Sequence, residues 1–398
     1  MGKETEGSSN GAERYRRSRQ RCGTLTKLFR PPNLALELNA EGIVEVLAVV
    51  AGLVLVLVSA SDAVSTLVTT RRRPGRFWPT PLFYRRTWRA WQAVARRAGP
   101  ELREGFLASY GPLSLLGLLI FWVLLLVVGW GAVWWGLRSK VNGIDSYIDA
   151  VYFAGVGFLT VGFGDILPIG ELARLLVLVE AFMGLVTMAL VIGYLPTLYG
   201  AYSRREVQLL ALDDLSDEAT TPVTFLEAFH AGGGAEAVTA AFAEWERWCD
   251  DVYDSHTAYP MLALFRSRQP GQHWLTALAV VMDAAAICVT TIVGAQAGPA
   301  ARLLRRGTML VRNLPGLPAV GLEGADQAGS ITDEERFRPG YQRLAALGVP
   351  LHPYEQARSD LQRLRAGYLP QLVAATRLLL VSLEFRHHTA RLDITRSG

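Results

Sequence analysis

The sequence predicts an all-α membrane protein in which a re-entrant loop lies between two spanning helices and a helical domain follows. Three observations lead to this fold class. Predominantly apolar blocks of spanning length are concentrated in the first 200 of the 398 residues. A short Gly-x-Gly segment separates the last two of these blocks. After Ser203, charged and apolar residues alternate at helical spacing, which is typical of a soluble helical domain.

The first apolar block covers about residues 43–69, and its centre at 46–58 carries no charge. It is long enough to cross a hydrocarbon core of about 30 Å at ~1.5 Å per residue. We therefore predict that 42–70 is a transmembrane helix, because so Val-rich a helix in a soluble domain would be prone to aggregate. Residues 1–41 are predicted to be a disordered tail, and they lack the apolar core of a secretory signal peptide.

Two further apolar blocks, 113–137 and 172–199, flank the Gly-x-Gly segment. The first is uncharged, and tryptophans crowd its C-terminal end, at positions 130, 134 and 135. Because such aromatic belts mark the membrane interface, we expect these tryptophans to lie at the headgroup level. Both blocks are predicted to span the membrane.

The segment between these blocks, 160–165, reads Thr-Val-Gly-Phe-Gly-Asp. Rings of backbone carbonyls can replace the hydration shell of an ion when four chains surround one axis. For successive carbonyls to point inward, some residues must adopt backbone regions that side chains disfavour, and glycine does so without penalty. The preceding stretch, 145–158, can form a short helix with Asp145 or Ser146 as its N-cap, and the C-terminal end of such a helix carries a partial negative charge.

Taken with the short helix and the two flanking spans, this segment resembles the signature of potassium channels. The resemblance covers about residues 112–205 and implies a two-span pore module at 112–203. It implies one pore loop per chain, hence a homotetramer that conducts K⁺ passively and has no enzymatic step. The implied selectivity filter comprises Thr160, Val161, Gly162, Phe163, Gly164 and Asp165, with K⁺ held at the first four and Asp165 at the outer mouth.

The resemblance also suggests where the inner helix bends. Gly184 lies nineteen residues after Asp165, where this family commonly has a hinge glycine. Close helix packing through a small residue is the alternative. Gly193 and Pro196 are further hinge candidates, although Pro196 can equally mark the end of the helix.

The filter region departs from the family pattern in three ways. Leu159 stands where many members have a second threonine, and Phe163 lacks the hydroxyl group of the usual tyrosine. Gly155 and Gly157 weaken the pore helix by roughly 0.5–1 kcal/mol each relative to alanine. A weakly selective cation channel and a non-conducting membrane-anchored sensor or scaffold are therefore the alternative functions.

Ionisable residues occur in two apolar segments. Glu180 lies in the third block, and it is expected either to pair with Arg174 or to lie behind the filter. The segment 274–293 is apolar except for Asp283. Because a carboxylate in the middle of a span is costly in lipid, we interpret 274–293 as a buried helix, with a further span as the alternative.

The linker at 71–111 is strongly basic, with ten Lys/Arg and two Asp/Glu. Within it, aromatic residues and arginines fall on different faces of a predicted helix. Such a helix can lie in the inner membrane interface and contact anionic headgroups, while a solvated or domain-packing helix is the alternative. The candidate lipid contacts are Trp88, Trp91, Arg85 and Arg89.

The resemblance implies a topology, because the pore loop of this family enters from outside. The linker and residues 204–398 are then cytoplasmic, in a multi-pass protein of the plasma membrane. With one preceding span, the N-terminal tail lies outside. That tail also has eight Lys/Arg and five Asp/Glu, which conflicts with the positive-inside tendency, but the linker has the larger positive excess.

The region 204–398 is predicted to be a helical cytoplasmic domain that gates the pore, assembles the tetramer or binds partners. It shows no strand followed by a Gly-x-Gly-x-x-Gly segment, and Gly232-Gly233-Gly234 is interpreted as a loop. Neither the six histidines nor the three cysteines have metal-ligand spacing. We therefore expect no cofactor besides the transported potassium ions, and no nucleic-acid partner.

Overall fold

The computed structural model describes residues 40–67, 78–215, 220–268, 273–295, 297–313 and 334–381. The predicted tail at 1–41 lies outside this part except for its last two residues, which begin the first helix. The helices are α1 Ala40–Leu67, α2 Pro79–Ala95, α3 Pro100–Gly136, α4 Tyr147–Phe158, α5 Glu171–Asp213, α6 Pro222–Ala258, α7 Trp274–Thr291, α8 Ala297–Arg312, α9 Glu334–Ala346, α10 Tyr354–Arg365 and α11 Leu369–Leu379. Two short strands, β1 Val141–Asn142 and β2 Leu167–Pro168, pair antiparallel. The described chain is thus an all-α membrane protein.

Four of the described helices are long and apolar enough to cross a membrane: α1, α3, α5 and α7. Helices α1 and α3 pack so closely that their backbones are in contact. A Cβ atom at Gly52 would lie 2.6 Å from the carbonyl oxygen of Gly129. The absence of side chains at both positions therefore permits this crossing.

Helix α7 differs from the other three in its surroundings. Its most apolar stretch is 78% buried inside the protein, compared with 17% for α1, 44% for α3 and 11% for α5. Asp283 in its middle pairs with Arg365 and accepts a hydrogen bond of 2.9 Å from the hydroxyl of Tyr368. Both partners lie in or next to α10. These surroundings support the buried-helix interpretation of 274–293, because protein replaces lipid around α7.

The spanning helices extend beyond the apolar blocks that revealed them. Helix α3 begins at Pro100 and α5 continues to Asp213, whereas the apolar blocks suggested 113 and 199. An apolar run indicates only the part of a helix that is suited to lipid. The helix itself can continue into polar sequence, because its backbone hydrogen bonds do not depend on apolar side chains. The inner helix therefore enters the C-terminal domain without a break.

Helix α2 lies within the basic linker, and its aromatic face packs on α3. Trp91 stacks on Phe106 with ring centroids 4.2 Å apart, and Trp88 lies 4.8 Å from Tyr110. For Trp88 and Trp91 these contacts favour the domain-packing alternative. Arg89 is exposed on another face of the helix, so lipid contact by the arginines stays a prediction.

The C-terminal domain is built around α7. Helices α6, α8 and α10 surround it and form one core that includes Phe242, Trp245, Leu278 and Leu303. The predicted loop at the three glycines is a break within α6, where Gly234 has φ +66° and both flanks are helical.

Candidate functional site

The short helix α4 is fixed at both ends. Ser146 is its N-cap: the Asp149 amide donates to the Ser146 hydroxyl at 3.2 Å, and the Ser146 amide donates to the Asp149 carboxylate at 2.7 Å. This reciprocal pair is a capping box. At the other end, the Val161 amide donates to the carbonyl of Val156 at 2.9 Å. The first residues of the 160–165 segment are therefore tied directly to the last turn of the helix.

The backbone of the 160–165 segment alternates in handedness. Positive φ occurs at Thr160 (57°), Gly162 (66°) and Gly164 (78°), whereas Val161 and Phe163 keep negative φ. Such alternation can bring successive peptide carbonyls to the same side of an extended chain. The two glycines adopt these angles without a Cβ penalty. The segment therefore has the local geometry that a ladder of inward-facing carbonyls requires.

Thr160 is a strained member of this segment. A β-branched residue with φ +57° is an outlier, and such strain costs roughly 1–3 kcal/mol. Its hydroxyl donates to the carbonyl of Leu159 at 2.7 Å. The strain lies where the helix passes into the extended segment, so surrounding contacts must hold it there.

A small clamp closes the loop beyond the 160–165 segment. Strand β1 pairs with β2, which follows the 160–165 segment, and the Ile169 amide donates to the carbonyl of Lys140 at 2.7 Å. The hydroxyl of Tyr152 donates to the Asp165 carboxylate at 2.9 Å. Asp165 is thus tied to α4, and its role at the outer mouth of a pore stays a prediction. The sequence did not single out Tyr152 as a functional residue. It lies on the exposed face of α4, and no local pattern indicates that its hydroxyl contacts a residue thirteen positions later.

Glu180 lies behind α4 and is completely buried. The indole nitrogen of Trp134 donates to its Oε2 atom at 2.7 Å. A Cβ atom at Gly157 would lie 3.5 Å from the same oxygen. Arg174, one of the two partners considered for Glu180, is exposed. Of the two predicted positions, the carboxyl group therefore occupies the one behind the filter segment.

Two of the three tryptophans near the C-terminal end of α3 are enclosed by protein, while their position at the headgroup level stays a prediction. Trp130 and Trp134 are buried between helices, and Trp134 meets the ring of Phe153 edge-on at 5.1 Å. Trp135 is half-buried, with Arg138 4.8 Å above its ring. Helical spacing shows that these residues share a region of α3 but does not show whether that region faces lipid or the pore helix.

The hinge candidates differ in their surroundings. A Cβ atom at Gly184 would overlap the carbonyl oxygen of Phe158 and lie 2.8 Å from its carbonyl carbon. A Cβ atom at Gly193 would meet no atom within 4 Å. Pro196 lies inside α5 and does not end it. The geometry at Gly184 supports the packing alternative, whereas a bend is sterically open at Gly193.

One side of the pore module is uncovered in the single chain. Val161 is 50% and Phe163 70% exposed, and the adjoining face of α5 exposes Leu178 and Phe182. Large apolar side chains beside an extended segment of this geometry form a surface that further protein chains or lipid can cover.

Comparison with known proteins agrees with this geometry. Residues 120–199 match the family model described as an ion channel. The chain is 34% identical over 101 residues to "Two pore potassium channel a" of Oryza sativa subsp. japonica, covering 25% of this chain and 26% of that protein. It is 24% identical over 208 residues to "Uncharacterized membrane protein YdjJ" of Bacillus subtilis (strain 168), covering 50% of this chain and 58% of that protein. The chain thus matches less than two thirds of either relative, and no solved structure matches it significantly.

Proposed function

We propose that this chain, whose pore module is of the potassium channel pore family, is the subunit of a homotetrameric, potassium-selective channel. The observation that carries the proposal is the alternation of φ at Thr160, Gly162 and Gly164. It occurs in a segment fixed between a capped short helix and an outer clamp. In this proposal the carbonyls of 160–163 replace the hydration shell of K⁺, and conduction is passive.

The assembly follows from the number of filter segments. One chain supplies a single segment, whereas a closed ring of carbonyls requires four around one axis. The exposed side chains of Val161, Phe163 and Phe182 are then covered by neighbouring subunits or line the cavity. We further propose that the tetramer lies in the plasma membrane with the C-terminal domain in the cytoplasm.

Two features bear on selectivity. Phe163 cannot donate a hydrogen bond behind the filter, which favours a looser filter. Two contacts act in the opposite direction. The Tyr152–Asp165 hydrogen bond holds one end of the segment, and the buried Glu180–Trp134 pair packs beside Gly157 in the helix that leads into the other end. We propose that these contacts suffice for K⁺ selectivity.

Ion flux into liposomes that contain the purified protein tests the proposal. We expect K⁺ flux that Ba²⁺ blocks and Na⁺ flux at least tenfold smaller. Equal Na⁺ flux would instead identify a weakly selective cation channel. A well-folded tetramer without flux would identify a membrane-anchored sensor or scaffold.

A pair of matched variants tests the filter assignment. Gly162→Asp places a charged side chain at positive φ in the filter segment, and we expect it to abolish K⁺ flux. Gly294→Asp makes the same chemical change at a positive-φ glycine of the C-terminal domain with no atom within 4 Å of its Cβ position, so flux should persist. Persistent flux in Gly162→Asp would refute the assignment.

A further inference from the structure

The inner helix carries two buried charged residues just after it leaves the apolar block. Arg205 is 1% and Glu206 4% exposed. Charged side chains are almost never so deeply buried unless they are paired and hydrogen-bonded. Their partners lie in residues 259–268 of the C-terminal domain, here called the coupling segment, which combines a short 3₁₀ helix with extended chain.

Arg205 holds the middle of the coupling segment through backbone atoms. Its guanidinium donates to the carbonyl of Leu262 at 3.0 Å and to that of Phe265 at 2.9 Å. It also donates to Glu206 Oε1 at 3.0 Å, and its charge lies over the ring of Trp274 at 5.7 Å. Charge-assisted hydrogen bonds of this kind are roughly twice as strong as neutral ones.

Glu206 and Tyr202 hold the end of the same segment. The other carboxylate oxygen of Glu206 accepts from the amide of Arg268 at 3.0 Å, and the hydroxyl of Tyr202 donates to the carbonyl of Arg266 at 3.0 Å. Together with Arg205, these side chains engage four backbone groups of the coupling segment. We call this set of hydrogen bonds the clasp. Because the bonds are made to the backbone, the segment cannot slide along α5 without breaking them.

The coupling segment also contacts the outer helix and the end of the domain. A Cβ atom at Gly111 of α3 would lie 2.8 Å from the ring of Phe265, so the two pack closely. Arg266 bridges Glu104 of α3, at 2.5 Å, to the carbonyls of Leu379 and Leu380, both at 3.0 Å. The segment therefore connects the inner helix, the outer helix and the last described helix of the domain.

The clasp lies directly beyond the part of α5 that is able to bend. Tyr194 and Leu198 are buried against the coupling segment, and the Tyr194 hydroxyl lies 3.0 Å from the sulfur of Met261. Between them, Pro196 removes one backbone hydrogen bond of the helix, and just before them Gly193 has open space around it. A displacement of the coupling segment therefore acts on α5 next to Gly193 and Pro196, where the helix can bend without steric overlap.

We propose that the C-terminal domain controls opening of the pore through the clasp, which makes the inner helix and the coupling segment move together. This inference rests on the proposed channel function. Any event that repacks the domain moves the coupling segment, and the clasp transmits that movement to the cytoplasmic end of α5. The filter, at the opposite end of α5, keeps its geometry.

Single-channel recording of the full-length protein in planar bilayers tests this inference with two clasp variants. Tyr202→Phe removes one hydroxyl and keeps the ring in its core, while Glu206→Gln removes the charge and keeps the shape. Loss of one clasp hydrogen bond weakens the coupling of the domain to α5, and a bond of ordinary strength corresponds to about a fivefold change in an equilibrium constant per subunit. We therefore expect the equilibrium constant between the open and closed states, obtained from the open probability, to change at least about fivefold, with unit conductance and the K⁺/Na⁺ permeability ratio unchanged.

Glu246→Gln is the matched control, because it removes the charge from an ion pair with Arg302 that makes none of the clasp hydrogen bonds. Its open probability should match that of the unmodified protein. Unaltered gating in both clasp variants, in a protein that conducts K⁺, would overturn the inference while leaving the channel function intact. If Glu206→Gln fails to assemble, Tyr202→Phe alone decides. Absence of K⁺ current in the unmodified protein would overturn the channel function itself.

Discussion

Gly184→Ala is expected to disturb the filter because of where the inner helix crosses the pore helix. A methyl group at position 184 would overlap the carbonyl oxygen of Phe158, and it would lie 2.8 Å from its carbonyl carbon and 3.2 Å from its Cα. Phe158 is the last residue of α4, and Thr160 follows two residues later. Any displacement of Phe158 is therefore passed directly to the strained start of the filter segment.

The size of the disturbance follows from these distances. Carbon atoms in favourable contact lie about 3.5–4.0 Å apart, so α4 and α5 must separate by at least ~0.7 Å at this crossing. Overpacking of this kind costs about 1–3 kcal/mol per site. In the proposed tetramer the cost is incurred four times around one axis, and we expect K⁺/Na⁺ selectivity to fall at least tenfold or conduction to be lost.

Gly193→Ala is the control on the same helix. A Cβ atom there meets no atom within 4 Å, and replacing a helical glycine with alanine is favourable by roughly 0.5–1 kcal/mol. Liposome flux ratios and thermal unfolding of the detergent-solubilised protein should be measured for both variants. Gly193→Ala should retain selectivity and unfold at the same or a higher temperature.

Two outcomes would contradict this reasoning. Normal selectivity and stability in Gly184→Ala would show that the close approach to Phe158 does not hold the filter. A reduced open probability with normal selectivity in Gly184→Ala would instead support the hinge role that the family resemblance implies for Gly184.

Three further predictions concern buried polar groups, and all are tested by unfolding of the full-length protein. Trp134→Phe removes the described donor to the buried Glu180 carboxyl and should destabilise the protein by about 1–3 kcal/mol. Asp283→Ala leaves its arginine partner without a counter-charge in the domain core and should cost about 3 kcal/mol. Burial, followed by the charges of nearby arginines, lowers the pKa of His256 and of His273 well below 6.5. The unfolded chain therefore binds protons that the folded one does not, so below about pH 6.5 the unfolding free energy should fall by ~1.4 kcal/mol per pH unit for each histidine.

Each of these predictions has a control. Trp135→Phe alters a half-buried indole of the same helix and should have a smaller effect than the change at 134. Arg302→Gln breaks an exposed ion pair, for which a loss below about 1 kcal/mol is expected. His256→Gln should make the fall of the unfolding free energy with pH less steep by ~1.4 kcal/mol per pH unit below about pH 6.5. An unchanged slope would show that His256 does not contribute to this pH dependence.

The features that could be predicted from the sequence depend on nearby residues. Gly162 and Gly164 indicated a segment of special backbone geometry, because only glycine takes positive φ without cost, and Ser146 was one of two candidate caps. The long apolar runs indicated spanning helices, because lipid requires about 20 apolar residues in succession. In each case the residues that indicate the structure are the residues that form it or their close neighbours in the chain.

The features that could not be predicted depend on partners distant in the chain. The sequence left Glu180 with two possible environments, and packing of α3 and α4 against α5 decided between them. The helix at 274–293 has the composition of a span, and only its enclosure by α6, α8 and α10, with Arg365 at Asp283, supports its position in the domain core.

The sequence by itself determined the pore module, since Thr-Val-Gly-Phe-Gly-Asp between two apolar blocks specifies its backbone locally. Tertiary structure alone decided what surrounds it: Glu180 and Trp134 behind the filter segment, and Arg205 and Glu206 closed on the coupling segment. Helical periodicity states which residues share a face, but the free energy of burying a charge depends on the groups that meet it. Those groups come from elements that are tens of residues away along the chain.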